Sequence, residues 1–493
     1  MASGTKDDLL KTRKAGLRAA SAKLRKAERE QICIAATAEA QQCDEEIIER
    51  LLRGKETVGN LGDCCPAQKD KSKRVQGQLV FDGCFESGNL GRVDIVSPIE
   101  YDIYIRPDTC NGKYTVWFYF SVTNTHPGQD VIFSFVNQSK TKSLYRHGMA
   151  PCVFSTSRPL WMRIPDDRAY YYQCPDHNDH YVLSVLFNFD RAEDTYWFAY
   201  CFPYTHSDLL RYLGELDDRK FPFYRRESLT KTTQGRHLDL LTITNPNNLE
   251  VDEAQDPKRK IPAVVITARV HPGETPSSYV CDGVINFLIS DDELAVSLRN
   301  KVIFYIVPML NPDGVFLGNY RCSMHGYDLN RVWNETDAEP WMHPTIDAVR
   351  DFVHKISLDP RQHLHYVFDL HAHTTLCDAF IYGNEFDDET RTEMQSHFPK
   401  KLSTRSKDFS LEKTHYNCEE YKAGTARRYL GGVHPRLNAY TVEISCYGYI
   451  NKRDDSVIGY TPESCILYCS LGCSLHEVNI EKVLCIVGAV YDP

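Results

Sequence analysis

The sequence predicts an α/β protein. A domain of buried strands and intervening helices is expected over about 215–475, preceded by an antiparallel β-sandwich over about 76–210. Two observations carry this. The hydrophobic period changes near residue 210, and four apolar, β-branched runs follow, with helical stretches between them. Before the change, YDIYIRPDT, YTVWFYFSVTN, DVIFSFVNQ, YVLSVLFNFD and YWFAYCFPY alternate or run apolar. Pro, Gly, Asn and Asp separate them, as in short strands of a sandwich. After it, Ile261–Val270 reads as a buried strand and Ser277–Ser290 as a helix, with Thr275 placed to cap it and Pro276 in its first turn. Val302–Leu310, Tyr366–Leu370 and Ala439–Ser445 read as three more strands. Buried strands with helices between them need cover on both faces, which is the α/β arrangement.

The remaining segments are weaker signals. Residues 1–75 read as a charged extension and linker. From Met1 to Glu30 there are nine Lys/Arg against four Asp/Glu, on a thin stripe of Leu9, Leu10, Leu17 and Leu24. A solvated helix or a basic arm for an acidic partner both fit that pattern. Cys465, Cys469 and Cys473 recur every four residues, as on an apolar helix face, and 476–493 reads as an atypical tail. The chain has 493 residues, enough for two to four domains, and a net charge of −10. That acidic balance argues against nucleic-acid binding, which needs a basic surface. No apolar run approaches the about 20 residues of a membrane helix, and Met1–Leu10 does not read as a secretory signal. The 18 cysteines are scattered, so they read as reduced, mostly buried thiols.

Polar residues gather where the predicted strands end, the rim at which α/β sheets bind ligands. His271-Pro-Gly-Glu274 follows the first strand. Imidazole and carboxylate are both zinc donors, and Pro272-Gly273 permits a turn tight enough to aim them at one point. A catalytic zinc needs a third protein ligand. His371 in FDLHAH is the candidate and His373 its rival, with Asp369 placed to hold the His371 ring. Glu443 lies inside the apolar strand YTVEIS, where a carboxylate needs either a salt bridge to a local Arg or a catalytic task as general base. Arg321 can stabilise a developing oxyanion, and Asn330-Arg331 can grip a carboxylate, although each alone is an ordinary loop residue.

The segments ARVHPGETPSS, MLNPDGVFLGNYRC, GYDLNRVW, DLHAH, KAGTARRYLGG and YTVEIS occur in that order. This series resembles the zinc metallocarboxypeptidases, specifically their cytosolic branch. SKTKSLYRHGMAP, YYQCPDH and FAYCFPYTHSDL resemble the β domain that precedes the catalytic domain there. The resemblance implies a mixed sheet flanked by helices and one Zn2+ per chain, held by His271, Glu274 and His371. It implies Glu443 as general base, Arg321 on the oxyanion, and Asn330 and Arg331 on the substrate's free α-carboxylate. It also implies removal of C-terminal glutamates, including polyglutamate chains on tubulin, by a cytoplasmic enzyme associated with microtubules, centrioles or cilia. A glutamate side chain needs a cation in its pocket, and Lys422, Arg427 and Arg428 supply three within seven residues; Arg427 is favoured. The competing readings are a zinc deacylase of N-acyl amino acids on the same scaffold, and a non-catalytic tubulin-binding module.

Overall fold

The computed structural model describes residues 78–250 and 260–467. The expected basic arm, the linker to residue 75, Cys469, Cys473 and the tail lie outside them. Ten strands form the first region. They are β1 (Val80–Asp82), β2 (Arg92–Ser97), β3 (Glu100–Tyr104), β4 (Tyr119–Thr123) and β5 (Gln129–Phe135), then β6 (Cys152–Ser155), β7 (Arg158–Arg163), β8 (Ala169–Cys174), β9 (His180–Phe189) and β10 (Tyr196–Ala199). One sheet runs β1-β4-β10-β6-β7 and the other β2-β3-β5-β9-β8. Phe118, Phe120, Phe133, Phe135, Phe189 and Phe198 are fully buried between them. Their rings meet edge-on or stacked, as in Phe118–Phe135 at 4.0 Å and Phe133–Phe198 at 5.2 Å. One pair departs from the expected antiparallel pattern, because β3 and β5 run parallel. Between them the chain crosses to the other sheet as β4 and returns, which restores its original direction.

The second region is one eight-stranded sheet. Its strands are β11 (Tyr224–Lys231), β12 (His237–Ile243), β13 (Ile261–Ala268), β14 (Ile303–Val307), β15 (Gln362–His373), β16 (Ala379–Asn384), β17 (His415–Asn417) and β18 (Asn438–Ser445). The order is β11-β12-β14-β13-β15-β18-β16-β17. The central four, β14-β13-β15-β18, are parallel and are joined to their outer neighbours β12 and β16 by antiparallel pairs, so the sheet is mixed. Burial on both faces explains the unbroken apolar runs. Along β13, Val264 and Ile266 pack into one core, while Ala263 and Val265 pack into the other. Helix α1 (His206–Asp218) and α2 (Pro276–Ile289) contribute Leu213, Val284 and Leu288 to the first core. Helix α3 (Pro344–Leu358) contributes Ile346, Val349 and Val353 to the second. Each such aliphatic side chain contributes about 1.5–3 kcal/mol when taken fully out of water.

Three local expectations are corrected. The strand expected over Tyr366–Leu370 is longer at both ends, because His363 and His365 enter the sheet at its half-buried margin. Thr275 precedes α2 but caps nothing: its backbone is already helical (φ −58°, ψ −32°) and its hydroxyl is buried without a partner. A capping side chain needs an extended backbone to reach back over the first turn. Among the described cysteines ten are free, eight of them buried, but Cys84 is disulfide-bonded, contrary to the expectation of reduced thiols throughout. No described helix is long and apolar enough to cross a membrane.

Candidate metal centre and active site

The parallel strands β14, β13, β15 and β18 end at one edge of the sheet, and the candidate residues meet there. After β13 the chain turns sharply at Arg269, a buried residue held in the left-handed region at φ 59°. Its guanidinium fixes the turn by donating to Pro272 O (2.8 Å), Ser278 Oγ (2.8 Å) and Tyr204 O (3.0 Å). Four residues on, Gly273 lies against Tyr320, where a Cβ would come within 2.6 Å of the ring. Only glycine permits that approach. The turn therefore aims His271 and Glu274 at a common point.

His371 arrives from β15 and stands directly beside Glu443 of β18 in the parallel register. His271 Nδ1 is 2.8 Å from Glu274 Oε1, and His371 Nδ1 is 2.9 Å from Glu274 Oε2. The two rings are 4.8 Å apart, and one donor atom from each of the three residues falls within 4.8 Å of the others. All three are buried. Burial alone would raise the Glu274 carboxyl, but the two imidazoles more than offset it and hold it well below the usual range. His373 is outside this group, and its Nδ1 accepts from the Leu376 N–H at 3.1 Å.

The outward ring nitrogens are also occupied. His371 Nε2 meets Asp369 Oδ2 at 2.7 Å, and Asp369 Oδ1 accepts from Thr267 Oγ1 at 2.8 Å. His271 Nε2 meets Asp328 Oδ1 at 3.0 Å. Two imidazoles and one carboxylate, each imidazole backed by a carboxylate, form the donor set of a catalytic zinc with one position left for water or substrate. The residues present fit that ion.

Glu443 is 9% exposed, and its Oε2 is buried with no hydrogen-bond partner. Burial pushes its carboxyl up to about 8, with Glu274 and Asp369 adding to the effect and His371 and Arg321 opposing it. No ion pair with an Arg forms among the described residues, so the structural alternative for this carboxylate is not met.

Arg321 donates through Nε to Asp328 Oδ2 at 2.6 Å. Asp328 thus joins the His271 ring to the Arg321 guanidinium, and these partners hold its carboxyl far below the ordinary range against the opposing effect of burial. The backbone carrying Arg321 is fixed by the β domain. Asp108 accepts from the N–H groups of Tyr320 (2.6 Å), Arg321 (2.7 Å) and Cys322 (2.8 Å). The expected result for Asp108→Asn is a fall in kcat/KM of about 10-fold or more, since charged hydrogen bonds of this kind contribute about 1.5–3 kcal/mol. Bound zinc measured in the same samples should change far less. Equal losses of zinc and activity would show that Asp108 supports the fold rather than Arg321.

Asn330 lies two residues after Asp328, with Nδ2 3.2 Å from His371 Nε2 and Oδ1 accepting from Ala426 N at 2.9 Å. Arg331 is exposed and donates to Asn330 O at 2.7 Å. The three cations of KAGTARR separate. Lys422 pairs with Glu419 at 3.0 Å, and Arg428 donates to Cys418 O at 3.2 Å. Arg427, on helix α4 (Ala426–Gly431), is 3% exposed and donates to Gly383 O, to Asn384 Oδ1 (2.6 Å) and to Asn417 Oδ1 (2.9 Å). Its partners Gly383 and Asn384 belong to β16, which pairs with the Glu443 strand β18.

Asp328, Asp108 and Arg269 were not singled out from the sequence. Asp328 had a signal, since it sits in YDLNRVW two residues before Asn330. Asp108 had none, because its partners lie more than 200 residues away.

Comparison with known proteins agrees with this geometry. The family described as zinc carboxypeptidase matches residues 209–464, and the cytosolic carboxypeptidase N-terminal domain matches residues 81–201. Cytosolic carboxypeptidase 6 of Homo sapiens is 52% identical over 398 residues, covering 80% of this chain and 77% of that protein. Its counterpart in Caenorhabditis elegans is 46% identical over 427 residues, covering 83% and 91%. The crystal structure of a metallo-carboxypeptidase from Burkholderia cenocepacia shares the fold with a TM-score of 0.67 at 24% identity, over 84% of this chain and 98% of that one. A zinc donor set at the end of parallel strands, matched along both regions by these relatives, means that the chain belongs to the zinc carboxypeptidases, in their cytosolic branch, and is a metallocarboxypeptidase that uses one zinc ion.

Proposed function

We propose that this enzyme removes glutamates from the C-terminal ends of acidic chains on proteins, with the polyglutamate side chains of tubulin as its substrate and the cytoplasm as its place of action. The observation that carries the glutamate reading is Arg427. Its guanidinium is buried, all its hydrogen-bond partners are neutral oxygens, and burial pulls it down to about 10. A buried cation without a counter-ion is costly, and a substrate carboxylate would supply the missing charge.

His271, Glu274 and His371 would hold the zinc ion, which when bound acts as a Lewis acid on water and on the scissile carbonyl. Glu443 takes the proton of the attacking water and passes it to the departing amine. Arg321, anchored by Asp328, donates to the oxygen on which negative charge develops. Asn330 and Arg331 hold the free α-carboxylate of the last residue, which restricts cutting to a chain end. Arg427 reads the glutamate side chain, and Lys422 and Arg428 add positive charge in the same segment. No observation favours the deacylase or the binding-only module over this reading.

Incubating the purified protein with glutamylated tubulin should shorten the side chains by whole glutamyl residues, measured by mass spectrometry. Unchanged tubulin, beside an active control peptide, would exclude tubulin as the substrate. For Arg427→Gln, the preference for a terminal glutamate over glutamine should fall about 10–150-fold, the ratio that corresponds to 1.5–3 kcal/mol. A preference that survives this substitution would move the side-chain contact elsewhere.

A further inference from the structure

The β domain places a cation at the rim of the active site that none of the roles above uses. Lys140 follows β5, and its ammonium donates to Tyr320 Oη and Thr374 Oγ1 while lying 4.6 Å from the centre of the Tyr320 ring. Those two hydroxyls are themselves 3.2 Å apart. Both are neutral, and no carboxylate pairs with Lys140 among the described residues. An ammonium has three N–H donors, so one stays unspent.

The position is informative because of what each partner adjoins. Tyr320 directly precedes Arg321, and Thr374 lies three residues past His371. The segment carrying Lys140 is seated on that same strand end, where Leu144 N donates to Thr374 O at 3.3 Å. Exposed Lys142 and Arg146 belong to the segment as well. Tyr320, Ala372 and Cys446 share a hydrophobic cluster with the β domain. Leu329, Ala426 and Leu430, beside Asn330 and Arg427, belong to a different cluster. The partners of Lys140 thus belong to the side of the metal-binding residues that packs with the β domain, whereas the neighbours of the groups assigned to the departing glutamate pack into a different core. A peptide gripped by its last residue at Asn330 and cut at the metal-binding residues can lead its preceding residues past Thr374, which follows His371 by three positions, and so past Lys140.

We propose that Lys140 forms a second anion subsite, which receives the side-chain carboxylate of an acidic residue on the amine side of the scissile bond. The inference rests on the assignment of Asn330 and Arg331 to the substrate's α-carboxylate, and it concerns the residue left behind rather than the one released. With such a subsite the enzyme distinguishes a chain of acidic residues from a single terminal glutamate.

The test uses the zinc-loaded full chain and two peptides that both end in glutamate and differ only in carrying Glu or Gln just before it. The wild type should cleave the Glu peptide with a kcat/KM about 10-fold or more above that of the Gln peptide. Raising the salt concentration should shrink this ratio, since the contact is ionic and partly exposed. Lys140→Met should bring the ratio to within about 2-fold, and Lys140→Arg should restore most of it. A wild-type ratio near one, or one insensitive to salt, overturns the proposal without needing any variant to fold. So does a Lys140→Met enzyme that slows both peptides by the same factor, which would leave Lys140 as a support for Tyr320 alone. Failure of the wild type to release glutamate from either peptide would overturn the glutamate reading itself, and the subsite with it.

Discussion

Glu443→Gln is expected to bind zinc at the wild-type stoichiometry and to lose about 10²–10⁴-fold in kcat, the range contributed by a positioned general base. Glu443 belongs to a strand whose eight residues are all buried, so the neutral isostere fits the same space. It is not one of the three metal donors, which is why zinc should stay. Its unpartnered Oε2 is what a group waiting for a proton looks like: a carboxylate kept only for structure would be hydrogen-bonded, since a buried unpaired acceptor costs about 1–3 kcal/mol. The substitution removes the ability to accept a proton and leaves shape and packing in place. Metal analysis and peptide hydrolysis on one preparation check both halves. Turnover near the wild-type value would remove Glu443 from the mechanism. Loss of zinc would instead show that the carboxylate serves the metal site.

The parts of this site that could be read from the sequence are those carried by short segments with strong local signals. His271-Pro-Gly-Glu274 was legible because two donors and a turn occupy four consecutive positions. His371 and Glu443 were legible because a polar residue stands out in a strand buried on both faces. The mixed sheet was expected from the resemblance, and its buried strands from their apolar runs. What was not legible depends on distant contacts. Asp108 acts on a loop more than 200 residues away, and nothing in RPDTC announces three backbone partners. The strand ends at Ala268, but Arg269 falls inside the run Ile261–Val270 that reads as a strand. Its left-handed backbone and three internal acceptors exist only once the loop has folded around it. The parallel pairing of β3 and β5 was hidden for the same reason, because pairing direction depends on which sheet the intervening strand joins. Among Lys422, Arg427 and Arg428, sequence alone could not show which would turn inward. The fold decides it: Arg427 is buried on α4, and Lys422 is tied to Glu419.

Asp328→Asn should damage the enzyme twice, and the two effects can be separated. Its Oδ1 sits on His271 Nε2, and its Oδ2 accepts from Arg321 Nε. Carboxylates that hold a metal-binding imidazole are typically worth about 10–100-fold in metal affinity or activity, so chelator competition should show a zinc affinity lower by that factor. Excess zinc would then refill the site but could not repair Arg321. An amide has no charge to hold the guanidinium and only one acceptor oxygen, and when that oxygen takes the N–H of the metal-holding imidazole the amide nitrogen is left facing Arg321, donor against donor. With the site saturated, kcat should remain about 10²-fold low, at the scale of losing one oxyanion donor. Asp369→Asn is the matched control. Asp369 touches His371 and Thr267 but not Arg321, so its loss should fall mainly on zinc affinity and be largely recovered by added metal. If excess zinc returns Asp328→Asn to the wild-type kcat, Asp328 does no more than orient His271, and the anchoring of Arg321 has to be sought in the Asp108 loop alone.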